Sequence, residues 1–69
     1  MTIGEHMKAA RNAAGLSLSQ LSIKTGVNRG TIHSSEAGRT FPNILNVIAL
    51  ADALGISIDE YIGHVPKKG

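Results

Sequence analysis

Residues that could act in catalysis are few and scattered in this chain of 69 residues. It has no cysteine, so neither a disulfide framework nor a thiolate zinc site is expected. His6, His33 and His64 are far apart in the sequence and fall on different predicted elements. No carboxylate pair and no nucleophile with a base accompanies them. The pattern therefore favours neither an enzyme nor a metal site, and no cofactor is expected.

Two side chains that can donate hydrogen bonds, Arg29 and His33, are four residues apart. That spacing places both on one face of a helix. Arginine suits a bidentate contact to guanine, and histidine can donate to a base or a phosphate. The pattern points to recognition of a ligand rather than to a reaction.

These residues lie within the segment 16–39, which is interpreted as two helices joined at Gly26. A sharp turn there requires a positive φ, which is tolerated best by glycine. Leu21, Val27 and Ile32 are the expected apolar contacts, and Ser22 is small where the helices would touch. This spacing is typical of a helix-turn-helix, whose second helix can lie in the major groove of DNA.

Five good N-cap residues, each followed by a glycine that can end a helix, predict an all-α fold. The caps are Thr2, Ser17, Asn28, Asn43 and Ser57, and the glycines are Gly15, Gly26, Gly38, Gly55 and Gly63. Reciprocal capping boxes are expected for Thr2 with Glu5, Ser17 with Gln20, and Ser57 with Glu60. We therefore predict a compact five-helix bundle over residues 1–63, followed by a basic C-terminal tail at 64–69.

The charge of the chain is divided unevenly along its length. Residues 1–41 carry a net charge of +3 and residues 42–66 carry −3, and Lys67 and Lys68 bring the total to +2. The basic first half suits a surface that binds phosphates. No apolar run approaches the roughly 20 residues that span a membrane, and the N-terminus does not resemble a signal peptide. We expect a soluble cytoplasmic protein.

Apolar residues predict which faces of the helices are buried. On the first helix the inward stripe is Ile3, Met7, Ala10 and Ala14. On the fourth, Ile44, Val47, Ile48, Leu50, Ala51 and Leu54 are expected inside, which leaves Leu45, Ala49 and Ala53 outside. Single exposed apolar residues are ordinary, but an exposed strip on so small a domain indicates a subunit contact. We predict a homodimer with Leu45 and Ala49 at its interface.

Four segments together resemble the phage repressor and Cro class of DNA-binding domains, also called the XRE family. The segments are G-L-S-L-S-Q-L-S, G-V-N-R-G-T-I, S-E-A-G-R-T-F-P and V-I-A-L-A-D-A-L-G-I-S-I-D-E-Y-I, in register over most of the chain. The resemblance implies a lambda repressor-like fold of five helices. It also implies that residues 17–25 and 28–37 form the DNA-binding helix pair.

By position, the resemblance assigns a role to individual residues. The base-reading residues would be Asn28, Arg29, Gly30 and His33. The residues at the DNA backbone would be Ser17, Leu18, Ser19, Thr31, Arg39 and Thr40. Arg11 and Glu36 match a pair that forms a partly buried salt bridge in relatives. Leu18 and Ser35 depart from the family, which often has a DNA-gripping glutamine and an apolar core residue at these positions.

The function expected from these patterns is sequence-specific binding of double-stranded DNA by a transcriptional regulator that acts as a repressor. The third helix would enter the major groove, and a homodimer would bind a near-palindromic site. The alternative is a protein-interaction module on the same fold, such as the antitoxin partner of a toxin or a transcriptional bridging factor. DNA binding that weakens as salt rises would separate the two hypotheses.

Overall fold

The computed structural model describes residues 2–64, and the basic tail predicted at 64–69 lies outside that range apart from His64. The described residues form five helices and no strands, as predicted. They are α1 (Ile3–Ala13), α2 (Leu18–Thr25), α3 (Arg29–Glu36), α4 (Ile44–Leu54) and α5 (Ile58–Ile62). Helix α1 packs against α3 and α5, α2 packs against α3 and α4, and α4 packs against α5. None of the helices in this range is both long and apolar enough to cross a membrane.

Side-chain caps begin all five helices at the predicted residues. Thr2 and Glu5 form a reciprocal capping box with two bonds of 3.2 Å. Ser17 and Gln20 form the second box. The box predicted at Ser57 is only half formed, because Ser57 Oγ accepts from the Glu60 N–H at 3.1 Å without a returning bond. Glu60 is exposed, so water can solvate its carboxylate instead.

The core is one cluster to which every helix contributes. Its buried apolar residues are Met7, Leu21, Val27, Ile32, Val47, Leu50, Ala51 and Tyr61. The stripe predicted for α1 is partly wrong, because Ile3 and Ala14 at its two ends are exposed. Periodicity along α1 continues to both of its ends, but it does not show whether a neighbouring element covers them.

The burial predicted for α4 is also partly wrong. Ile44 and Ile48 were expected inside but are 62% and 40% exposed. Ala49 and Ala53 were expected outside but are half-buried and pack against the core. A helix that is apolar nearly all round has no polar face to indicate its rotation. Contacts with α2 and α5 therefore decide which side is covered, and they select Val47, Leu50 and Ala51.

Tyr61 places a polar atom in this core. Its side chain is fully buried, and its hydroxyl has no hydrogen-bond partner among the described residues. Burial raises the pKa of Tyr61 from its ordinary value of 10.0 to about 12, and the nearby Glu36 carboxylate adds to the rise. The phenol is therefore held in its neutral form.

Tyr61→Phe should raise the free energy of unfolding at neutral pH by about 1 kcal/mol, since it removes a buried hydroxyl that has no hydrogen-bond partner among residues 2–64. In the wild type, the stabilisation from the neutral phenol is complete below pH 10.0 and is lost as pH rises towards about 12. Urea unfolding at several pH values should show a decline in this window that the variant lacks. A large loss of stability in the variant at neutral pH would mean that the hydroxyl has a stabilising partner.

Candidate nucleic-acid interface

The turn between α2 and α3 is held by bonds within a few residues of sequence. Gly26 ends α2 with φ +77°, and its N–H donates to the Ser22 carbonyl at 2.8 Å. Ser22 Oγ donates across the turn to the Val27 carbonyl at 2.6 Å. The Thr25 hydroxyl donates to the Leu21 carbonyl and accepts from the Val27 N–H. This network fixes the direction in which the chain enters α3.

Apolar contacts then set α3 against α2. Leu21 and Ile32 are fully buried, and Val27 in the turn is nearly so. Asn28 caps α3. On the side of α3 that faces away from the core, Arg29, Gly30 and His33 are exposed. Two helices joined by a short glycine turn, with the outer face of the second one free, have the geometry of a helix-turn-helix.

A buried ion pair holds the far end of α3 to α1. Arg11 Nε donates to Glu36 Oε2 at 2.8 Å, and Arg11 Nη2 donates to Glu36 Oε1 at 3.0 Å. Arg11 Nη1 donates to the Leu16 carbonyl at 2.8 Å, just before α2 begins. The bond to Glu36 raises the pKa of Arg11 further. One guanidinium therefore ties together α1, the entry to α2 and the end of α3.

Gly4 lets α1 approach the same end of α3, and sequence reasoning missed it. A β-carbon at Gly4 would lie 2.7 Å from the Ser35 carbonyl oxygen and closer still to that of Glu36. Ser35 is buried, as its inward position predicted. The sequence did contain a signal for this close approach, because glycine is a poor helix former and Gly4 lies in the first turn of a capped helix.

The four predicted base-reading residues lie together at the start and on the exposed side of α3. Arg29, Gly30 and His33 are exposed, and Arg29 Nη1 lies 3.5 Å from Ser19 Oγ at the start of α2. Asn28 differs from the others, because its Oδ1 accepts from the N–H groups of Gly30 (2.8 Å) and Thr31 (3.4 Å). A bidentate contact to adenine needs both ends of the carboxamide, so the cap leaves only the Asn28 amide nitrogen free.

The predicted backbone-contact residues lie at the start of α2 and around α3. Ser17, Ser19, Thr31, Arg39 and Thr40 are exposed. Leu18 is half-buried and packs against the core, so its N–H rather than its side chain is the group that faces outward from the helix end. The Arg39 N–H already donates to the Ser34 carbonyl at 2.9 Å. At Arg39 the side chain is thus the group available for a ligand.

A cleft of about 290 Å³ joins these elements on the outer side of the ion pair. Its lining includes Leu18 at the start of α2, His33 on α3 and Lys8 on α1. No role was predicted for Lys8 from the sequence. Its position three residues before Arg11 places both side chains on one face of α1, and this spacing could have indicated that Lys8 lines the same cleft. Within residues 2–64, no three His, Asp or Glu side chains are close enough to hold a metal ion.

The chain is a five-helix bundle in which a glycine turn joins α2 to α3 and the outer face of α3 carries exposed hydrogen-bond donors. These features define a helix-turn-helix domain. The helix-turn-helix family model matches residues 7–61, and the chain belongs to this family. The family resemblance inferred from the sequence is thereby confirmed.

Two curated relatives are phage repressors. The chain is 33% identical over 64 residues to the cryptic phage CTXphi transcriptional repressor RstR of Vibrio cholerae serotype O1. It has the same identity over 64 residues to the immunity repressor protein of Bacillus phage phi105. Each match covers 93% of this chain but only 57% and 44% of the respective relative. The chain thus spans about half the length of these curated relatives.

Two solved structures have a similar fold. The restriction-modification controller protein C.AhdI from Aeromonas hydrophila is 30% identical, with a TM-score of 0.81 and 86% of both chains covered. The P22 c2 repressor protein, solved in complex with a synthetic operator, is 29% identical with a TM-score of 0.82. That match covers 94% of this chain and 98% of the P22 chain.

Glu36→Gln should lower the free energy of unfolding by about 3 kcal/mol, because it leaves Arg11 buried without an opposite charge. Glu60→Gln is the matched control, since it makes the same change at an exposed position and should alter stability by less than about 0.5 kcal/mol. Urea unfolding followed by circular dichroism measures both. Equal stability of the two variants would contradict the orienting role of the ion pair.

Proposed function

We propose that this protein is a sequence-specific double-stranded DNA-binding regulator of transcription that acts as a repressor. The observation that carries the proposal is the exposed side of α3, which presents Arg29 and His33 from a helix held by the glycine turn and the buried ion pair. The names of the two phage relatives and the operator in the P22 c2 structure support it. Acting on DNA would place the protein in the cytoplasm, with the nucleoid.

Base reading in this proposal falls mainly to two side chains. Arg29 extends from the first residue of α3 and can make the bidentate contact to guanine O6 and N7. His33 follows one turn later on the same side and can donate to a base edge. Asn28 contributes at most its amide nitrogen, because its oxygen caps the helix. The half-site is therefore expected to include a G·C pair opposite Arg29.

Backbone binding in this proposal uses the ends of two elements. The N–H groups of Leu18 and Ser19 are the two at the start of α2 that the capping box with Gln20 does not satisfy. A helix N-terminus favours an anion such as phosphate. Arg39 and Thr40 follow α3 on the exposed turn and would hold a second phosphate. The +3 charge of residues 1–41 supports both contacts.

The test of the whole proposal is selection of bound sequences from a random duplex pool. We expect enrichment of a half-site, repeated with two-fold symmetry, and binding that weakens as salt rises. No enrichment, together with no salt-dependent gel shift, would overturn DNA binding and favour the protein-interaction module.

Arg29→Ala should reduce discrimination at one G·C position by about 1–3 kcal/mol. Arg39→Ala, the matched removal of an exposed arginine, should weaken binding to all duplexes alike and lower the salt slope by about one. Competition among all four base pairs at each position, over a range of salt, measures both effects. The roles are wrong if Arg29→Ala weakens binding uniformly, or if Arg39→Ala removes one base preference.

The same proposal includes a homodimer formed through exposed apolar residues of α4 and the turn before it. Ala49 turns towards the core, so the exposed apolar strip consists of Phe41, Ile44, Leu45 and Ile48. Phe41 and Leu45 are 94% and 72% exposed, which is unusual for large apolar side chains grouped on one face. The strip lies on α4 and the turn before it, and α4 carries none of the residues assigned to DNA. A second copy bound there would leave both recognition helices free.

Leu45→Glu should abolish cooperative binding to a duplex with two half-sites and leave the fold intact, because the charge would be buried between the two copies. Ala9→Glu on the exposed side of α1 is the control and should bind as the wild type does. Sedimentation equilibrium and gel shift measure mass and cooperativity. If neither changes in Leu45→Glu, this interface is wrong.

A further inference from the structure

Gly30 is a glycine that the fold does not require. Among residues 2–64, five glycines have a positive φ, and Gly4 is buried against α3. Gly30 has neither feature: it lies in the first turn of α3 without a positive φ, and it is exposed. The glycines with positive φ are Gly15, Gly26, Gly38, Gly55 and Gly63.

Space for a side chain exists at Gly30. A β-carbon there would approach one atom within 4 Å, the Asn28 Oδ1 at 3.1 Å. That oxygen is the acceptor of the helix cap, so it would need to shift by a few tenths of an ångström while it keeps its bonds to the Gly30 and Thr31 N–H groups. Glycine is also a poor helix former, so local helix stability favours replacing it with alanine. We therefore look for the reason for a glycine here in a bound ligand rather than in the fold.

The position of Gly30 on α3 indicates what that constraint is. Ile32, Ser35 and Glu36 are the buried residues of α3. At about 3.6 residues per turn, the direction opposite to them passes close to Gly30. Gly30 therefore occupies the middle of the outer face, between the flanking side chains of Arg29 and Thr31. A gap in that place is complementary to a group that projects from the ligand.

We infer that this gap accommodates the C5-methyl group of a thymine in the operator half-site. The inference rests on the proposed function, because it takes α3 to lie in the major groove. The thymine methyl is the apolar group that standard base pairs present in that groove, and threonine methyl groups are among its usual contacts. The missing side chain of Gly30 leaves room for it, and Thr31 lies beside the gap.

The experiment replaces each thymine of the selected half-site with uracil, which removes only the methyl group. The wild-type protein should lose about fourfold in affinity at one position, as expected for burying one methyl group. Gly30→Ala fills the gap with its own methyl group, so it should bind the uracil duplex at that position more tightly than the thymine duplex. The wild type should therefore prefer the thymine duplex, and Gly30→Ala should prefer the uracil duplex.

Thermal melting of Gly30→Ala is the control for folding, and its melting temperature should be no lower than that of the wild type. Even if the variant failed to fold, the uracil series with the wild-type protein would still test the inference. The inference is overturned if no thymine responds to loss of its methyl group, or if Gly30→Ala binds thymine and uracil duplexes with the wild-type ratio. Absence of any selected half-site would instead overturn the proposed function.

Discussion

The buried ion pair between Arg11 and Glu36 is the contact on which the placement of α3 depends. Both residues are 7% exposed, and two hydrogen bonds join their side chains. Such a pair adds little net stability over apolar packing, but each charge is costly when its partner is lost. The third bond, to the Leu16 carbonyl, extends the same constraint to the start of α2. The pair thus sets the angle of α3 relative to two other elements.

The exposed side of α3 is built largely from residues that the fold does not use. Arg29 and His33 are exposed, and the long contact of Arg29 with Ser19 is the one bond that residues 2–64 give to either side chain. Asn28 differs because its oxygen caps the helix. The outer residues can therefore be exchanged without loss of the core, while Asn28 is under both structural and binding constraints.

The domain separates its surfaces by charge and polarity. The α2–α3 pair lies in the basic part of the sequence, whereas α4 and α5 lie in the acidic part. The exposed apolar strip begins at Phe41, the last residue of the basic part, and continues with Ile44, Leu45 and Ile48 in the acidic part. A ligand with many phosphates is repelled by acidic residues and attracted to basic ones. The proposed DNA and subunit contacts can therefore form at the same time.

The sequence by itself determined the five helices, their caps, the Gly26 turn and the burial of Leu21, Val27 and Ile32, because these depend on neighbours within a turn or two of chain. It also predicted the exposure of Arg29 and His33. Only the tertiary structure decided how α4 is rotated, how closely Gly4 approaches α3, and that the Tyr61 hydroxyl has no partner among residues 2–64. These features depend on which distant elements meet, and a pattern read along one helix contains no information about its neighbour.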